Sequence, residues 1–267
     1  MRLFHVFLFL LLGFGLVAAE DSSPSTAPLK ALPVDPADLN PVQLPQAIPG
    51  GVNIHWYGHG FIYLTSSVGI RAAIDPFGPQ TVHYQFPTHL SADIVLITNE
   101  SEDHCAADQI FGDPLIFRSV MAVGLNRANG IEFHGVSLQK DPSGQGGANT
   151  AFVLKFDNVT FCYLGQIAQP LLATEKQQLG HVDVLFLPVG VTSMSVDDLN
   201  QVARDVAASV IVPVNYKTDQ SGDLPLRGLD EYLATTKFPV RKVSASEMVI
   251  SRGMLPSQPT IYVMKSP

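Results

Sequence analysis

The sequence predicts an α/β fold in which two β-sheets are flanked by helices. Strand patterns joined by short turns dominate the first half of residues 52–267, which indicates antiparallel hairpins. Helix and strand patterns alternate in the second half, as they do where helices join parallel strands. The region holds about 216 residues, enough for one domain with a large core. These observations are compatible with an αββα sandwich.

The predicted strands are short runs of β-branched and other apolar residues, bounded by glycine, proline, serine or asparagine. The first strand alternates apolar and polar residues and ends at Gly58-His59-Gly60. The run that ends at Thr98 is continuously apolar, which indicates a buried strand. In chain order, the predicted strands are 52–57, 61–65, 70–74, 94–98, 114–117, 131–138, 150–156, 159–164, 182–187, 210–214, 240–244 and 260–264.

Three segments carry a helical pattern of apolar residues. The clearest is 195–208, where Ser195 is a good N-cap and two aspartates in the first turn suit the helix dipole. Its apolar residues form one stripe, which predicts that this face packs on a sheet. The other predicted helices are 171–179 and 226–235. Loops are predicted at 78–90 and at 141–149, and the second is rich in glycine.

The N-terminus has the pattern of a secretory signal peptide. A basic start at Arg2 precedes the apolar run 3–17, and small residues at Ala18 and Ala19 offer a cleavage site. A membrane anchor is the alternative, but the run is shorter than the ~20 residues that cross a bilayer. We therefore expect residues 1–19 to be removed and the mature protein to be secreted and extracellular, without membrane contact.

Residues 20–51 contain seven prolines and read as an extended leader or linker. The domain is predicted to occupy residues 52–267. The formal charge of the chain is −8, and removal of residues 1–19, which contain Arg2 and no acidic residue, makes it −9. A chain this acidic lacks the basic surface that nucleic-acid binding requires, so we expect no nucleic-acid partner.

The segment Thr98–His104 holds the strongest candidate functional residues. It follows a predicted buried strand and ends in the pair Asp103-His104. Carboxylate and imidazole are common metal ligands and also common general acids and bases. The pair is therefore a candidate for metal binding or catalysis.

The order of several motifs resembles the metal-dependent hydrolases of the metallo-β-lactamase superfamily. Within it, the chain is most similar to the branch of the L-ascorbate-6-phosphate lactonase-like proteins. The resemblance implies an αββα sandwich with a cleft between the two sheets, where two zinc or manganese ions share a bridging hydroxide. The motifs, in order, are Trp56-Tyr57-Gly58-His59-Gly60-Phe61, Ile74-Asp75-Pro76-Phe77, Thr98–His104, Leu164-Gly165-Gln166, Leu187-Pro188-Val189-Gly190 and Pro213-Val214-Asn215-Tyr216-Lys217-Thr218.

Residue by residue, the resemblance implies that most of the metal ligands have been replaced. The family's first two histidines fall on Asn99 and Ser101, whereas its aspartate and third histidine are kept as Asp103 and His104. A later histidine falls on Lys140, which precedes Asp141. The bridging aspartate falls on Gln166 and the last histidine on Asn215. His59 and Asp75 match the family pattern and are expected to support the ligands or the structure.

The replaced residues are poor ligands for a dication. Zinc usually requires at least three anionic or imidazole ligands from the protein. The first ion's position would have Asn99, Ser101, Lys140 and Gln166, which provide none, and the lysine adds a repelling charge. The second would have Asp103, His104, Asn215 and Gln166, so it is expected to hold no metal or, alternatively, one weakly bound zinc or manganese ion.

Two function hypotheses follow. The first is a secreted pseudoenzyme that binds a small molecule or an extracellular protein in the inherited cleft, where Lys140 fills the vacated space and pairs with Asp103 or Asp141. The second is a one-metal hydrolase of esters, lactones or phosphoesters that uses Asp103 and His104. A serine hydrolase with Ser101 as nucleophile and His104 as base is a further alternative, but the sequence shows no nucleophile elbow.

The cysteines and the glycosylation motifs bear on the secretory prediction. Cys105 and Cys162 are the two cysteines, and they could form a disulfide or remain buried thiols. Asn158-Val159-Thr160 lies in a predicted exposed turn and is the better candidate for glycosylation. The other motif begins at Asn99, at the floor of the predicted cleft, where a glycan would fit badly.

Overall fold

The computed structural model describes residues 50–140, 143 and 146–267. The predicted signal peptide and nearly all of the predicted leader lie outside the described residues, and so does Asp141. The described residues all fall within one compact unit. No helix in this part of the chain is long and apolar enough to cross a bilayer.

Fourteen strands form two sheets within the described residues. In chain order, the strands are β1 Val52–Gly58, β2 Phe61–Thr65, β3 Arg71–Ile74, β4 Ile94–Ile97, β5 Leu115–Arg118, β6 Gly124–Ala128, β7 Ile131–Gln139, β8 Ala148–Phe156, β9 Val159–Tyr163, β10 Val184–Pro188, β11 Val210–Val214, β12 Val240–Lys242, β13 Glu247–Ile250 and β14 Thr260–Val263. The six-stranded sheet has the order β13-β1-β2-β3-β4-β5. The eight-stranded sheet has the order β12-β14-β11-β10-β9-β8-β7-β6.

The predicted strands are all present, with shifts of one or two residues at their ends. The prediction missed β6 and β13, which lie at sheet edges. Edge strands are only partly buried, so they need no regular alternation of apolar residues. The mixed α/β class with two sheets is confirmed.

Three α-helices follow β9, namely α1 (Ala173–Leu179), α2 (Val196–Val206) and α3 (Leu229–Thr235). The predicted cap of α2 is present: the Ser195 hydroxyl accepts a hydrogen bond from the Asp198 amide at 3.1 Å, and the Asp198 carboxylate accepts from the Ser195 amide at 3.3 Å. This reciprocal pattern satisfies two amides at the helix start. Helix α1 packs on β7 and α2 on β10, so both cover the eight-stranded sheet.

The outer face of the six-stranded sheet is covered differently. No α-helix occurs within residues 50–140. A second hydrophobic cluster instead packs on alternate residues of β2, β3 and β4, with aromatic side chains from the loop after β3 such as Phe77, Tyr84 and Phe86. The main core lies between the two sheets and under the helices. The loop predicted at 78–90 therefore serves as a packing layer.

The chain direction brings several strand ends to one edge of the sandwich. Strands β3 and β4 are parallel, and so are β9, β10 and β11. The C-terminal ends of parallel strands meet at the same edge of a sheet, where ligand sites are commonly found. The two sheets are joined there by a hydrogen bond from the Thr150 amide to the Thr98 carbonyl at 2.9 Å.

Candidate functional site

Asp75 organises the base of the site. It follows β3 with a left-handed backbone (φ 49°) and is fully buried. Its carboxylate accepts hydrogen bonds from the Thr98 amide at 2.7 Å and the Thr98 hydroxyl at 2.5 Å. It also contacts His104 Nδ1 at 2.8 Å. Asp75 thus fixes both the end of β4 and the orientation of the His104 ring.

His104 presents its other nitrogen to the interior of the site. The ring is fully buried, and Nε2 has no hydrogen-bond partner among the described residues. This atom lies 3.5 Å from Asp103 Oδ2. Burial lowers the pKa of His104, but the negative charges of Asp75 and Asp103 outweigh burial and raise the pKa above its ordinary value. The protonated ring is therefore the form that its neighbours favour.

His59 and Asp103 form the opposite wall. His59 Nε2 lies 2.9 Å from Asp103 Oδ2, while His59 Nδ1 has no partner among the described residues. Burial lowers the pKa of His59, so the ring is neutral and its Nε2–H donates a hydrogen bond to the Asp103 carboxylate. Burial would raise the pKa of Asp103, but the His59 hydrogen bond and the His104 charge hold the pKa below its ordinary value.

The backbone around His59 is held by two further hydrogen bonds. Its carbonyl accepts from Trp56 Nε1 at 3.0 Å and from the Asn215 amide at 2.9 Å. His59 and Asn215 both have positive φ angles, 48° and 54°. The backbone of residue 190 packs closely against that of Asn215. Only glycine fits there, since a Cβ at Gly190 would lie 2.1 Å from the Asn215 carbonyl oxygen. Unusual backbone held by its surroundings is common at functional sites.

His59, Asp103 and His104 together form a cluster of candidate metal ligands. One ligand atom from each lies within 4.8 Å of the others. The contact between the His59 ring and Asp103 is compatible with the expected supporting role, and the cluster geometry adds His59 as a candidate ligand. We call His59, Asp75, Asp103 and His104 the His104 half of the site.

Asn99, Ser101 and Lys140 form what we call the Lys140 half. The Asn99 amide donates to the Thr98 hydroxyl at 3.0 Å, and its oxygen accepts from the Ser101 amide at 3.1 Å. Lys140 Nζ donates to the Ser101 hydroxyl. Lys140 therefore reaches the site, as predicted. Its hydrogen bond goes to Ser101, whereas the sequence predicted a pair with Asp103 or Asp141. Its other expected partner, Asp141, lies outside the described residues.

Gln166 and Asn215 contribute buried amides. Gln166 Oε1 and both side-chain polar atoms of Asn215 are buried and have no hydrogen-bond partner among the described residues. The Gln166 backbone is held by the Asn149 side chain at 3.0 Å. Buried polar atoms are nearly always hydrogen-bonded in folded proteins, so each of these unpartnered amides is a candidate position for a ligand or water contact.

Two neighbouring cavities open at this edge and share Lys140. The first, about 280 Å³, is lined by residues from both halves and by an apolar lip: Asp103, Lys140, Gly146, Gln166, Val191, Thr192, Ser193, Leu224, Pro225 and Leu226. The second, about 440 Å³, is lined by Glu100, Ser101, Arg118, Ser119, Val120, Met121, Lys140, Gly146, Gly147 and Ala148. Lys140 and Gly146 line both cavities, which together we call the cleft.

No pattern in the sequence marks Arg118 as part of the site. Arg118 ends β5, and in the parallel register it is opposite Ile97 at the end of β4. Its position beside the motif could have been found only with the pairing of these two strands. Thr98 begins the predicted Thr98–His104 segment, and its hydroxyl donates a hydrogen bond to the buried Asp75 carboxylate, a contact that the sequence alone does not predict.

The donor set fits one metal ion and not two. In the Lys140 half, the amide and hydroxyl atoms are engaged in hydrogen bonds, and an ammonium group lies among them. The His104 half offers two imidazoles and one carboxylate, which reaches the usual minimum for zinc. The separation of 3.5 Å between His104 Nε2 and Asp103 Oδ2 is compatible with two ligands of one ion at ~2.0–2.2 Å each.

The two cysteines and the two glycosylation motifs differ in burial. Cys105 and Cys162 are both free thiols, and Cys162 is fully buried on β9. Asn158 is exposed in the turn between β8 and β9, whereas Asn99 is fully buried. The structure therefore keeps Asn158 as the accessible glycosylation motif, and glycosylation stays a prediction.

The chain belongs to the metallo-β-lactamase superfamily. A family model described as a beta-lactamase superfamily domain matches residues 53–215, more than half of the chain. The match contains every residue of the His104 half and of the Lys140 half. Comparison with curated proteins finds no match. The lactonase-like branch stays a prediction.

Solved structures support the same fold. One similar structure is a candidate zinc-dependent hydrolase of the metallo-β-lactamase superfamily from Thermotoga maritima, with a TM-score of 0.65, 25% identity and coverage of 81% of this chain and 100% of the other. Another is a candidate metal-dependent hydrolase from Parabacteroides distasonis, with a TM-score of 0.58, 18% identity and coverage of 81% and 94%. A metallo hydrolase from Ignicoccus hospitalis has a TM-score of 0.51, 18% identity and coverage of 67% and 86%.

Proposed function

We propose that this chain is a secreted binding protein that has kept the cleft of a metal-dependent hydrolase and lost two-metal hydrolysis. The observation that carries the proposal is the hydrogen bond between Lys140 Nζ and Ser101 Oγ. It puts an ammonium group beside a position that carries a metal-binding histidine in the resembled family. In this sense the protein is a pseudoenzyme with respect to its superfamily.

Charge supports the proposal. Asp75 and Asp103 contribute two negative charges, which a protonated His104 and Lys140 balance without a metal. Two dications would add four positive charges to a site that keeps two carboxylates and one ammonium. Repulsion between a fixed cation and a dication at a few ångströms costs several kcal/mol at an intermediate dielectric.

The expected ligand is a small polar molecule or an extended part of an extracellular protein. The cavity of about 280 Å³ combines a cation, a carboxylate and the amide of Gln166 with an apolar lip near Leu224. Such a mixture of a few polar groups on apolar walls is typical of ligand sites. Secretion is part of the proposal and is supported by the apolar N-terminal run.

Elemental analysis of the purified protein tests the loss of two-metal chemistry. We expect fewer than two equivalents of zinc or manganese per chain, and no hydrolysis of ester, lactone or phosphoester substrates that is lost in chelator and regained with metal. A His104→Ala variant is compared in parallel. Two tightly bound ions with metal-dependent turnover would refute the proposal.

A one-metal hydrolase is the second candidate, because His59, Asp103 and His104 remain close together. These residues would hold the ion, and a bound zinc or manganese ion would supply Lewis-acid activation of water. Asp75 would orient His104 through Nδ1, and His59 would position Asp103. One equivalent of metal that is lost, together with activity, in His104→Ala would favour this candidate. Unchanged metal content and activity in that variant would make the Asp103-His104 pair purely structural.

A further inference from the structure

We propose that a pocket between β12 and β13 binds a small carboxylate with a short apolar chain. The pocket has a volume of about 240 Å³ and shares no lining residue with the cleft. Two basic residues, Arg241 and Lys242, line it together with mainly apolar side chains. The inference goes beyond the proposed function, because it assigns a second ligand site outside the inherited cleft.

The pocket lies where the chain passes from one sheet to the other. Strand β12 is an edge strand of the eight-stranded sheet, β13 is an edge strand of the six-stranded sheet, and residues 243–246 join them. This connection is held at both ends. The Val243 amide donates to the Val263 carbonyl at 2.8 Å, and the Trp56 amide donates to the Ser246 carbonyl at 2.8 Å. The pocket is therefore built on hydrogen-bonded backbone.

The apolar wall of the pocket is continuous with the main core. Ile250 and Tyr262 line the pocket, are buried and belong to the core between the sheets. Met248, two positions before Ile250 on β13, is on the same face of the strand and packs against that core. Met254 lines the pocket and is exposed. Methionine side chains are flexible and adapt to apolar groups of different shape, so this wall suits a short alkyl chain.

The charged part of the pocket is cationic. Arg241 and Lys242 line it, and none of the lining residues is acidic. This sign is opposite to that of the chain, whose formal charge is −8. Glu247 is the acidic residue of β13, but its Oε2 lies 3.6 Å from His55 Nδ1 and it does not line the pocket. The charge of the pocket therefore favours an anionic ligand.

Arg241 is positioned by an aromatic ring and not by a carboxylate. Its guanidinium carbon lies 5.3 Å from the centroid of the Tyr262 ring, and Nη1 donates to the Tyr262 hydroxyl at 3.3 Å. Arg241 forms no ion pair with another described residue, whereas carboxylate partners are present for Arg71, Arg118, Arg127, Arg227 and Arg252. A guanidinium has five N–H donors in a planar fork, so Arg241 can bind both oxygens of a ligand carboxylate.

The volume of the pocket limits the ligand. At ~30 Å³ for each water-sized group, about 240 Å³ holds roughly eight such groups. An ionised carboxylic acid of the size of hexanoate fits this limit, with its head at Arg241 and Lys242 and its chain against Met248 and Ile250. A long-chain lipid would leave most of its chain in water. The ligand class is therefore a short-chain carboxylate.

NMR signals of methionine methyl groups test the inference, because they report on the pocket and the cleft separately. Met248 and Met254 line the pocket, whereas Met121 lines the cleft. The full chain, labelled with carbon-13 at the methionine methyl groups, is titrated with hexanoate. We expect the signals of Met248 and Met254 to shift saturably, with a Kd of about 1 mM or lower, and the Met121 signal to stay in place. Hexanol, which lacks the charge, should bind at least about tenfold more weakly.

Arg241→Met removes the charge and keeps an apolar side chain. We expect it to weaken hexanoate binding by about tenfold or more and to leave hexanol binding unchanged. Arg204→Met is the matched control, since Arg204 is an exposed residue of α2 that does not line the pocket. The signal of Met194, which is buried in the core, shows whether each variant is folded.

Two results would overturn the inference. The first is a titration of the wild-type protein in which hexanoate shifts only the Met121 signal, or shifts no methionine signal saturably. The second is equal hexanoate affinity in wild type and Arg241→Met, since the pocket would then not recognise the anion. Ligand binding in the cleft is read at Met121, so failure of this inference is distinguishable from failure of the proposed function.

Discussion

The Lys140 half and the His104 half of the site differ in how their polar atoms are satisfied. In the Lys140 half, Asn99, Ser101 and Lys140 bind one another or the adjacent Thr98. In the His104 half, His59 Nδ1 and His104 Nε2 have no partner among the described residues. The first half is therefore complete without a metal, whereas the second keeps atoms that can still receive a proton donor, an ion or a ligand.

Under the proposed function, the site has lost ligands on one side and kept its supporting framework on the other. Asp75 orients His104, and the Asn215 amide holds the His59 carbonyl, at a position where the resemblance implies a histidine. Backbone contacts survive a side-chain replacement because they do not depend on its identity. We therefore expect mutations in this framework to lower the free energy of unfolding more than mutations in the Lys140 half.

The largest expected effect is that of Asp75→Ala on stability. The change leaves the Thr98 hydroxyl and the buried His104 ring without their acceptor. Breaking a buried pair of this kind typically costs about 3–5 kcal/mol in the free energy of unfolding. Urea denaturation measures it, with Asp219→Ala, an exposed loop aspartate, as the control. A loss below about 1 kcal/mol would show that the His104 half does not depend on Asp75.

The next effect concerns zinc affinity in Lys140→Met. Removing the ammonium lowers the repulsion of a dication in the His104 half, which we expect to raise zinc affinity by roughly ten- to hundredfold. Competition with a coloured chelator measures the affinity. Lys155→Met removes the same charge from the exposed surface of β8 and should leave it unchanged. Equal affinity in wild type and Lys140→Met would mean that the missing ligands, and not the charge, separate the two halves.

The pH dependence of stability sharpens the role of His104. Its pKa is raised in the folded state, because the charges of Asp75 and Asp103 outweigh burial. Its contribution to stability is therefore fully present below the unfolded-state pKa of about 6.5 and is lost as the pH rises through the folded-state pKa. We expect the stability advantage of wild type over His104→Asn to shrink as the pH rises, in urea titrations with chelator present. An advantage that grows with pH would show that the neutral ring is the stabilising form.

Much of the fold was predictable because its central strands, such as β4, β10 and β11, are buried on both faces. Runs such as the one that forms β4 are continuously apolar, and Ser195 marks the start of α2 by its own chemistry. Strands β6 and β13 were missed because edge strands need no such pattern. The cover of the six-stranded sheet was also unexpected, since the aromatic residues around Phe77 lie in a segment without helical or strand periodicity.

The candidate site was predictable as a set of residues and not as a set of contacts. The resemblance placed Asp75, Asp103 and His104 in one region, and the structure brings them together. It could not show that His59 contacts Asp103 or that Lys140 selects Ser101, because these contacts depend on side-chain directions at loops between different strands. Arg118 needed the register of β4 and β5, which no local pattern encodes.

The smallest expected effect on stability is that of Glu100→Gln. The change removes a charge next to the Lys140 half but alters none of its three residues. The Glu100 carboxylate pairs with Arg118, but 54% of its side chain is exposed. Water screens such a pair, so we expect a change of less than about 1 kcal/mol in the free energy of unfolding. Asp103→Asn is the matched comparison, since it removes a carboxylate three residues away that His59 and His104 surround. If the two variants lower the free energy of unfolding equally in urea denaturation, burial does not distinguish the rim of the Lys140 half from the interior of the His104 half. The contrast between the halves would then rest on hydrogen bonding alone.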